Sequence, residues 1–132
     1  AVEKIFEVAE SMRTVGKVYL TSPISLRFVK ASEAYLAMMH GYDTCIIEFP
    51  IVSGTYGGYE ILKKLEYALY EFSGRPHWGM INYIKGADLM RRMYPEYEKW
   101  VNVHQQLNRN GTFDSIFAER LGLSQQQFHP AS

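Results

Sequence analysis

Two stretches decide the fold: SPISLRFV at Ser22–Val29 and TCIIEFPIV at Thr44–Val52. Apolar and more polar residues alternate in both, which is the period of a β-strand with two different faces. We therefore predict strands over these two ranges, paired antiparallel. Pro23 suits the start of a strand, and Pro50 suits an edge or a bulge.

Helical patterns surround the two strands. Apolar residues recur at three- and four-residue steps in the opening segment and again after residue 58. A helical connection over 31–39 and a short third strand after the second long helix complete the outline. The predicted helices run from Val2 to a stop at Gly16, over Tyr59–Phe72, over Ala87–Met93, from Pro95 onward and over Ser115–Leu121.

The expected fold class is α+β, with a small antiparallel sheet packed with several helices. Because two or three strands form only a small platform, we expect this sheet to be part of a larger one that includes strands from outside this sequence. The 132 residues fit one folded domain, since 47% are hydrophobic and 21% charged.

Charge and composition exclude several classes of protein. Fourteen basic residues balance fourteen acidic ones, which argues against nucleic acid as the main partner. A single cysteine, Cys45, excludes an internal disulfide framework. The sequence contains no apolar run of the length of a membrane span and shows no leader, so a cytoplasmic location is expected.

A charged pair is the first candidate site. Ser25 and Arg27 share one face of the first strand, and Glu48 lies on the less apolar face of the second. If the strands are neighbours, Arg27 and Glu48 meet on one face of the sheet. The pair is then either a surface ion pair, worth well under ~1 kcal/mol, or part of a substrate site. In such a site arginine would stabilise negative charge and glutamate would accept a proton.

The run Arg75-Pro76-His77-Trp78-Gly79 is the second candidate. His77 and Trp78 are either a rigid pair of N–H donors, or a core tryptophan beside a histidine whose hydrogen bonds are satisfied within the protein. Metal binding is not expected, because the four histidines, at positions 40, 77, 104 and 129, lack metal-ligand spacing. The glycine-rich loop over 53–58 fits neither the dinucleotide fingerprint nor the phosphate-binding loop.

The same run resembles the Arg-Pro-His-Trp-Gly-Lys segment in the C-terminal domain of sugar-lactone oxidases. These are the D-arabinono-lactone, L-gulono-lactone and alditol oxidases of the vanillyl-alcohol-oxidase flavoprotein superfamily. Other stretches agree with the family in order, and the likeness covers roughly Thr21 to Gly122. They are the strand at 23–28, which resembles one ending in Glu-x-Arg, the strand at 45–51, the Tyr-Pro helix start at 93–97, the turn at 107–113 and the closing helix at 117–122.

The resemblance implies a function. Residues 1–132 would be the C-terminal substrate domain, or cap domain, of an FAD-dependent oxidase, and the N-terminal FAD-binding domain of the same full-length chain would be its partner. The implied reaction oxidises an alcohol or sugar lactone by hydride transfer to flavin, with oxygen as acceptor. The alternatives are a sterol or other bulky alcohol as substrate, and a non-catalytic α+β binding module.

The resemblance also implies roles for residues of the two strands. Arg27 matches the active-site arginine of the family. Ser25 stands where the family has a glutamate, so Glu48 would supply the carboxylate from the neighbouring strand.

In the turn, His77 and Trp78 match the family, whereas Met80 stands where the family has a lysine near the flavin. An apolar residue there suits a bulkier, less polar substrate. Arg27, Glu48 and His77 are therefore the expected catalytic residues, and the residues expected to face substrate or flavin are Ser25, Trp78 and Met80.

Overall fold

A computed structural model describes residues 1–124. Within this part of the chain it contains five α-helices and a single two-stranded sheet, so the predicted α+β class is confirmed. A 3₁₀ turn, Tyr70–Phe72, continues the second helix. The helices are α1 (Val2–Gly16), α2 (Gly58–Leu69), α3 (Ala87–Met93), α4 (Tyr97–Leu107) and α5 (Ile116–Arg120), and the strands are β1 (Ser25–Val29) and β2 (Thr44–Glu48).

The described residues form two compact units. The first contains Ala1–Ala31 and Gly41–Tyr83, and therefore α1, α2 and both strands. The second contains Ser32–His40 and the chain from Ile84 onward, and therefore α3, α4 and α5. All the predicted site residues belong to the first unit.

The core of the first unit forms where α1 and α2 bury their apolar stripes. Three side chains at or beside the strands, Ile24, Ile47 and Phe49, pack against this core. One face of the sheet thus covers the helices, and the other face is left to carry the charged residues. Leu26 and Phe28 continue the apolar face of the sheet but are exposed. The expected larger sheet, with strands from outside this sequence, stays a prediction. The buried core residues are Ile5, Met12, Val18, Ile61 and Leu65.

The two strands pair antiparallel, as predicted, with Ser25 opposite Glu48 and Val29 opposite Thr44. Both strands are shorter than the predicted ranges. Pro23 and Pro50 lie just beyond the same end of the ladder, the end that the Ser25–Glu48 pair closes. Proline has no N–H to donate to a ladder, so the hydrogen-bonded pairing stops before both residues.

The predicted helix over 31–39 is wrong. Ser32 N–H donates to the Met39 carbonyl at 3.0 Å, and an isolated parallel bridge joins Ser32 to His40. The Ser32 hydroxyl also accepts the Ala34 N–H at 3.2 Å. Such local bonds offer the backbone an alternative to helical hydrogen bonds, and the segment forms turns instead.

The predicted short third strand is also wrong. Tyr83 N–H, in the segment after α2, donates to both carboxylate oxygens of Glu66, at 2.9 and 2.8 Å. A backbone donor taken by a helix side chain cannot join a strand ladder.

The predicted helices of the second unit are confirmed with small changes of boundary. The helix at Ala87–Met93 begins and ends as predicted, and α4 begins two residues after Pro95. Ser115 is the N-cap of α5, where its hydroxyl accepts the Ala118 N–H at 3.1 Å. Within residues 1–124, none of the helices combines the length and apolar character needed to cross a membrane.

Candidate functional site

Three polar side chains meet on the open face of the sheet. Arg27 Nη2 lies 3.1 Å from Glu48 Oε2, and Ser25 Oγ donates to the same oxygen at 2.6 Å. The predicted placement of Arg27 and Glu48 on adjacent strands and one face is confirmed. We call these three residues the strand triad.

The electrostatics of the strand triad keep Glu48 ionised. The hydrogen bond from Ser25 is the main cause that lowers the pKa of the Glu48 carboxyl, and the charge and hydrogen bond of Arg27 lower it further against partial desolvation. The Arg27 side chain is 67% exposed and that of Glu48 39%. An ion pair so open to water is screened and contributes little to stability, and its groups remain accessible to a ligand.

The second candidate is a tight turn that follows α2. Gly79 N–H donates to His77 Nδ1 at 3.1 Å, and Met80 N–H donates to the His77 carbonyl at 3.2 Å. His77 and Met80 are exposed, whereas Trp78 is half-buried. The histidine is therefore held by its own turn rather than in a core.

The structure brings the strand triad together but does not join it directly to the turn. Within residues 1–124, the side-chain hydrogen bonds and ion pairs of Ser25, Arg27 and Glu48 stay among these three residues. The side chain of His77 bonds to Gly79, two residues away. The predicted site thus consists of two groups in one unit. The catalytic and substrate-facing roles assigned to them stay predictions.

Sequence analysis missed Glu66, Asn82 and Tyr83, which hold the turn in place. Asn82 is 8% exposed, and its Nδ2 donates to the Met80 carbonyl at 2.9 Å. Glu66 accepts hydrogen bonds from the Tyr83 N–H and from the Tyr70 hydroxyl. The spacing of Glu66 and Tyr70, four residues apart on one helix face, was the available signal.

Burial and the charge of Glu66 raise the pKa of the Tyr83 hydroxyl. The hydroxyl therefore stays protonated at neutral pH and donates to the Tyr59 carbonyl at 2.9 Å. The bond to Tyr59 and the bonds from the Tyr83 N–H to Glu66 attach the segment after the turn to α2 at two places.

Two of the three glycines of the 53–58 loop, Gly57 and Gly58, serve packing. A Cβ at Gly57 would lie 2.4 Å from Val18 Cγ2, and Gly57 has a φ of 65° that disfavours other residues. A Cβ at Gly58 would lie 3.0 Å from Ile51 Cγ2. Packing therefore accounts for glycine at positions 57 and 58.

Two other features lie away from the strand triad. A shallow groove of about 380 Å³ is lined by α1 and α2 residues, including Lys4, Ser11 and Tyr67, and by none of the triad. In the described part of the chain, no three His, Cys, Asp or Glu side chains are grouped as metal ligands would be. His129 lies outside the described residues.

An arginine, a carboxylate and a hydroxyl thus lie together on one face of the sheet. The chain belongs to the D-arabinono-1,4-lactone oxidase family, since the sequence model of that family matches residues 1–121. This is a family of flavoprotein oxidoreductases. The match includes α1, which precedes the stretch from Thr21 on which the sequence resemblance was based.

Several named proteins are similar to this chain. Alditol oxidase from Streptomyces sp. is 32% identical over 108 residues, covering 82% of this chain and 25% of the relative. L-gulono-1,4-lactone dehydrogenase from Mycobacterium tuberculosis is 29% identical over 75% of this chain and 23% of its own length. L-gulonolactone oxidase from Mus musculus is 26% identical over 90% and 28%. The chain thus spans about a quarter of the length of these relatives.

Proposed function

We propose that this chain is the C-terminal substrate (cap) domain of an FAD-dependent oxidoreductase that oxidises an alcohol or a sugar lactone. The observation that carries the proposal is the strand triad, on the open face of a chain that belongs to this family. The names of the relatives support an alditol or an aldono-1,4-lactone as substrate. The proposed partner is an FAD-binding domain in the same full-length chain.

Arg27 is the group proposed to hold negative charge on the substrate oxygen. Only its Nη2 is engaged by another described residue, the carboxylate of Glu48. The remaining N–H groups of the guanidinium form a planar fork that can bind an oxygen atom as charge develops there. Glu48 on one side of the guanidinium fixes its orientation before the substrate arrives.

Glu48 is the group proposed to accept the hydroxyl proton. Ser25 and Arg27 both bind Oε2, and no described residue donates to Oε1, so Oε1 is the atom that would take the proton. The lowered pKa keeps this carboxylate ionised and ready to accept. It also makes Glu48 a weak base, so proton transfer would accompany the loss of hydride rather than precede it.

The described residues fit the substrate side of such an enzyme and not the nucleotide side. FAD, when bound by the rest of the protein, would supply the hydride acceptor, with oxygen as the proposed final acceptor. Met80 is 69% exposed, where the family has a lysine near the flavin. This exposed apolar side chain favours a sterol or another bulky alcohol as the alternative substrate. A cytoplasmic location stays a prediction.

The test uses the full-length protein, mixed without oxygen with alditols, aldono-1,4-lactones or a sterol. We expect an alditol or a lactone to bleach the absorbance of the oxidised flavin. Bleaching by the sterol alone would favour the alternative substrate. A protein that contains flavin but is reduced by none of these compounds would contradict the proposal and favour the non-catalytic module.

A further inference from the structure

Asn110 and Gly111 form an Asn-Gly step in the turn that joins α4 to α5. Glycine has no Cβ, so its backbone nitrogen can approach the carboxamide carbon of the preceding asparagine without a steric barrier. The Asn110 side chain is exposed, and within residues 1–124 it takes part in no hydrogen bond. The nucleophile and the electrophile of a deamidation reaction are therefore adjacent at the surface.

The other three asparagines of the sequence lack this combination. Asn82 is 8% exposed, Asn102 lies inside α4, and Asn108 has both ends of its carboxamide bonded. Each of them is followed by a residue larger than glycine, whose side chain hinders the approach of the backbone nitrogen. Asn110 is thus the asparagine whose surroundings favour the reaction.

The turn nevertheless holds the attacking nitrogen in a hydrogen bond. Gly111 N–H donates to the Asn108 carbonyl at 3.0 Å, and the Gly111 carbonyl accepts the Asp114 N–H at 3.0 Å. The Gly111 nitrogen must leave its bond and lose its proton before it can attack. Breaking one neutral hydrogen bond costs about fivefold in an equilibrium, so the folded turn should slow the reaction by about that factor.

The side chain of Asn108 keeps this turn closed. Its Oδ1 accepts the Phe113 N–H at 2.8 Å, and its Nδ2 donates to Asp114 Oδ1 at 2.7 Å. The Ser124 hydroxyl donates to the same oxygen of Asp114. The chain on both sides of Gly111 is therefore attached to the end of α4 through one carboxamide.

We propose that Asn110 is a site of spontaneous deamidation, and that Asn108 is the residue that slows it. The deprotonated nitrogen of Gly111 attacks the carboxamide carbon of Asn110, a C–N bond forms to close a cyclic imide, and ammonia leaves with the proton. Water then opens the imide at one of its two carbonyls and gives aspartate or isoaspartate. The reaction needs only water, so the inference goes beyond the proposed function and does not depend on it.

The modification loosens the connection between α4 and α5. Isoaspartate carries the main chain through its side-chain carbon, which adds one methylene group just before Gly111. The two backbone hydrogen bonds of Gly111 cannot both keep their geometry in the longer turn. Both products also place a new carboxylate in the turn that contains Asp114, where the two negative charges repel.

The site is tested by ageing the full-length protein in neutral buffer, folded and in urea, followed by peptide mapping with mass spectrometry. Trypsin cleaves after Arg109 and Arg120, so Asn110 is the single asparagine of the peptide between them. We expect Asn110 to deamidate faster than the other three asparagines in the folded protein, and about fivefold more slowly than in urea. If Asn110 stays intact, or reacts no faster than the others when folded, the proposal is wrong. Equal rates in buffer and in urea would overturn the protective role of the turn.

The role of Asn108 is tested with N108A, aged in the same way. We expect the rate at Asn110 to rise about fivefold toward the rate in urea, the scale of one hydrogen bond, while circular dichroism shows that the helices are kept. The matched control is N102A, an exposed position of α4 outside the turn, which should leave the rate unchanged. D114A keeps the acceptor of the Phe113 N–H and should raise the rate less, so it replaces N108A if that variant does not fold. A parental rate in both N108A and D114A would overturn the role of Asn108.

The structural consequence is tested by thermal unfolding of aged protein. Glutamine at position 110 would have to close a larger ring, so N110Q should not age at this site. We expect the aged parent to contain a population that unfolds at lower temperature, in proportion to its isoaspartate content, whereas aged N110Q unfolds as it did when fresh. An aged parent rich in isoaspartate that unfolds like the fresh protein would show that the connection is not loosened.

Discussion

Ser25 lies directly opposite Glu48 in the antiparallel pair, and its hydroxyl donates to Glu48 Oε2 at 2.6 Å. Residues directly opposite each other on paired strands have neighbouring side chains. A carboxylate at position 48 therefore lies close to the place that a carboxylate at position 25 would occupy. The resemblance to the lactone oxidases implies a glutamate at position 25. The pair therefore places a carboxylate beside Arg27 although residue 25 of this chain is a serine.

Removing the guanidinium should affect the reaction far more than the fold. We expect R27A in the full-length protein to slow flavin reduction by at least ~100-fold, the scale of losing one electrostatic donor. R27K should recover only part of the rate, since lysine lacks the planar fork. Stopped-flow absorbance under anaerobic conditions measures both rates.

The matched control for Arg27 is K30A. Lys30 is also an exposed cation in an ion pair, with its Nζ 2.7 Å from Asp43 Oδ2, and within residues 1–124 it forms no ion pair with the strand triad. K30A should reduce flavin at nearly the parental rate. A parental rate in R27A as well would show that the site is assigned wrongly.

Ser25 should control the ionisation of Glu48. Its hydroxyl is the main cause of the lowered pKa, so S25A should raise the pKa of Glu48 toward the ordinary value of 4.5. A carboxylate whose pKa is lower in the folded state contributes stability above that ordinary value. The contribution is lost as the pH falls through the folded pKa.

The parent should therefore keep this contribution to a lower pH than S25A does. A ¹³C NMR titration of the Glu48 carboxyl in the two proteins measures the shift, and acid unfolding checks its sign. Identical titration curves would show that the hydrogen bond from Ser25 does not form.

Glu66 should stabilise the segment that follows the His77 turn. E66A removes the carboxylate that accepts hydrogen bonds from the Tyr83 N–H and the Tyr70 hydroxyl, which should cost about 1–3 kcal/mol of unfolding free energy. Urea denaturation measures this loss. The control is E60A on the same helix, because Glu60 forms an exposed ion pair with Lys64. This substitution should cost about 0.5 kcal/mol or less. Equal costs in the two variants would contradict the bonds described.

Gly122 should tolerate no side chain. It has a φ of 72°, and a Cβ there would lie 2.7 Å from Ala87 Cβ. We expect G122A to cost about 2–4 kcal/mol, because backbone strain and a steric clash add. At Gly54 the φ is 80° but a Cβ would meet no atom within 4 Å. G54A should thus cost about 1–2 kcal/mol from strain alone. Thermal unfolding compares the two, and a G54A protein less stable than G122A would refute the argument.

The 132-residue chain by itself should bind no FAD and show no oxidase activity. The 53–58 loop lacks the spacing of a dinucleotide fingerprint, and the chain spans about a quarter of the length of its named relatives. Adding FAD to the purified chain and removing the excess by gel filtration tests this. A stoichiometric flavin absorbance in the protein fraction would contradict it.

The sequence by itself determined where the two strands lie and which of their side chains share a face. Alternation in two short stretches was enough to place Arg27 and Glu48 on one face, because the period of a strand is a local property of the backbone. Helical periodicity gave α1, α2 and α3 for the same reason. Pro23 was expected at the start of a strand and Pro50 at an edge or a bulge. That both residues lie beyond the same end of the ladder depends on the register.

Only the tertiary structure decided which donors and acceptors are joined. The third strand was wrong because Tyr83 gives its N–H to Glu66, 17 positions away in sequence, and no local pattern encodes that bond. The helix over 31–39 was wrong because Ser32 bonds to Met39 and Ala34 instead. Periodicity fixes which way a side chain faces, whereas a hydrogen bond depends on positions that only the folded chain brings within 3 Å or so.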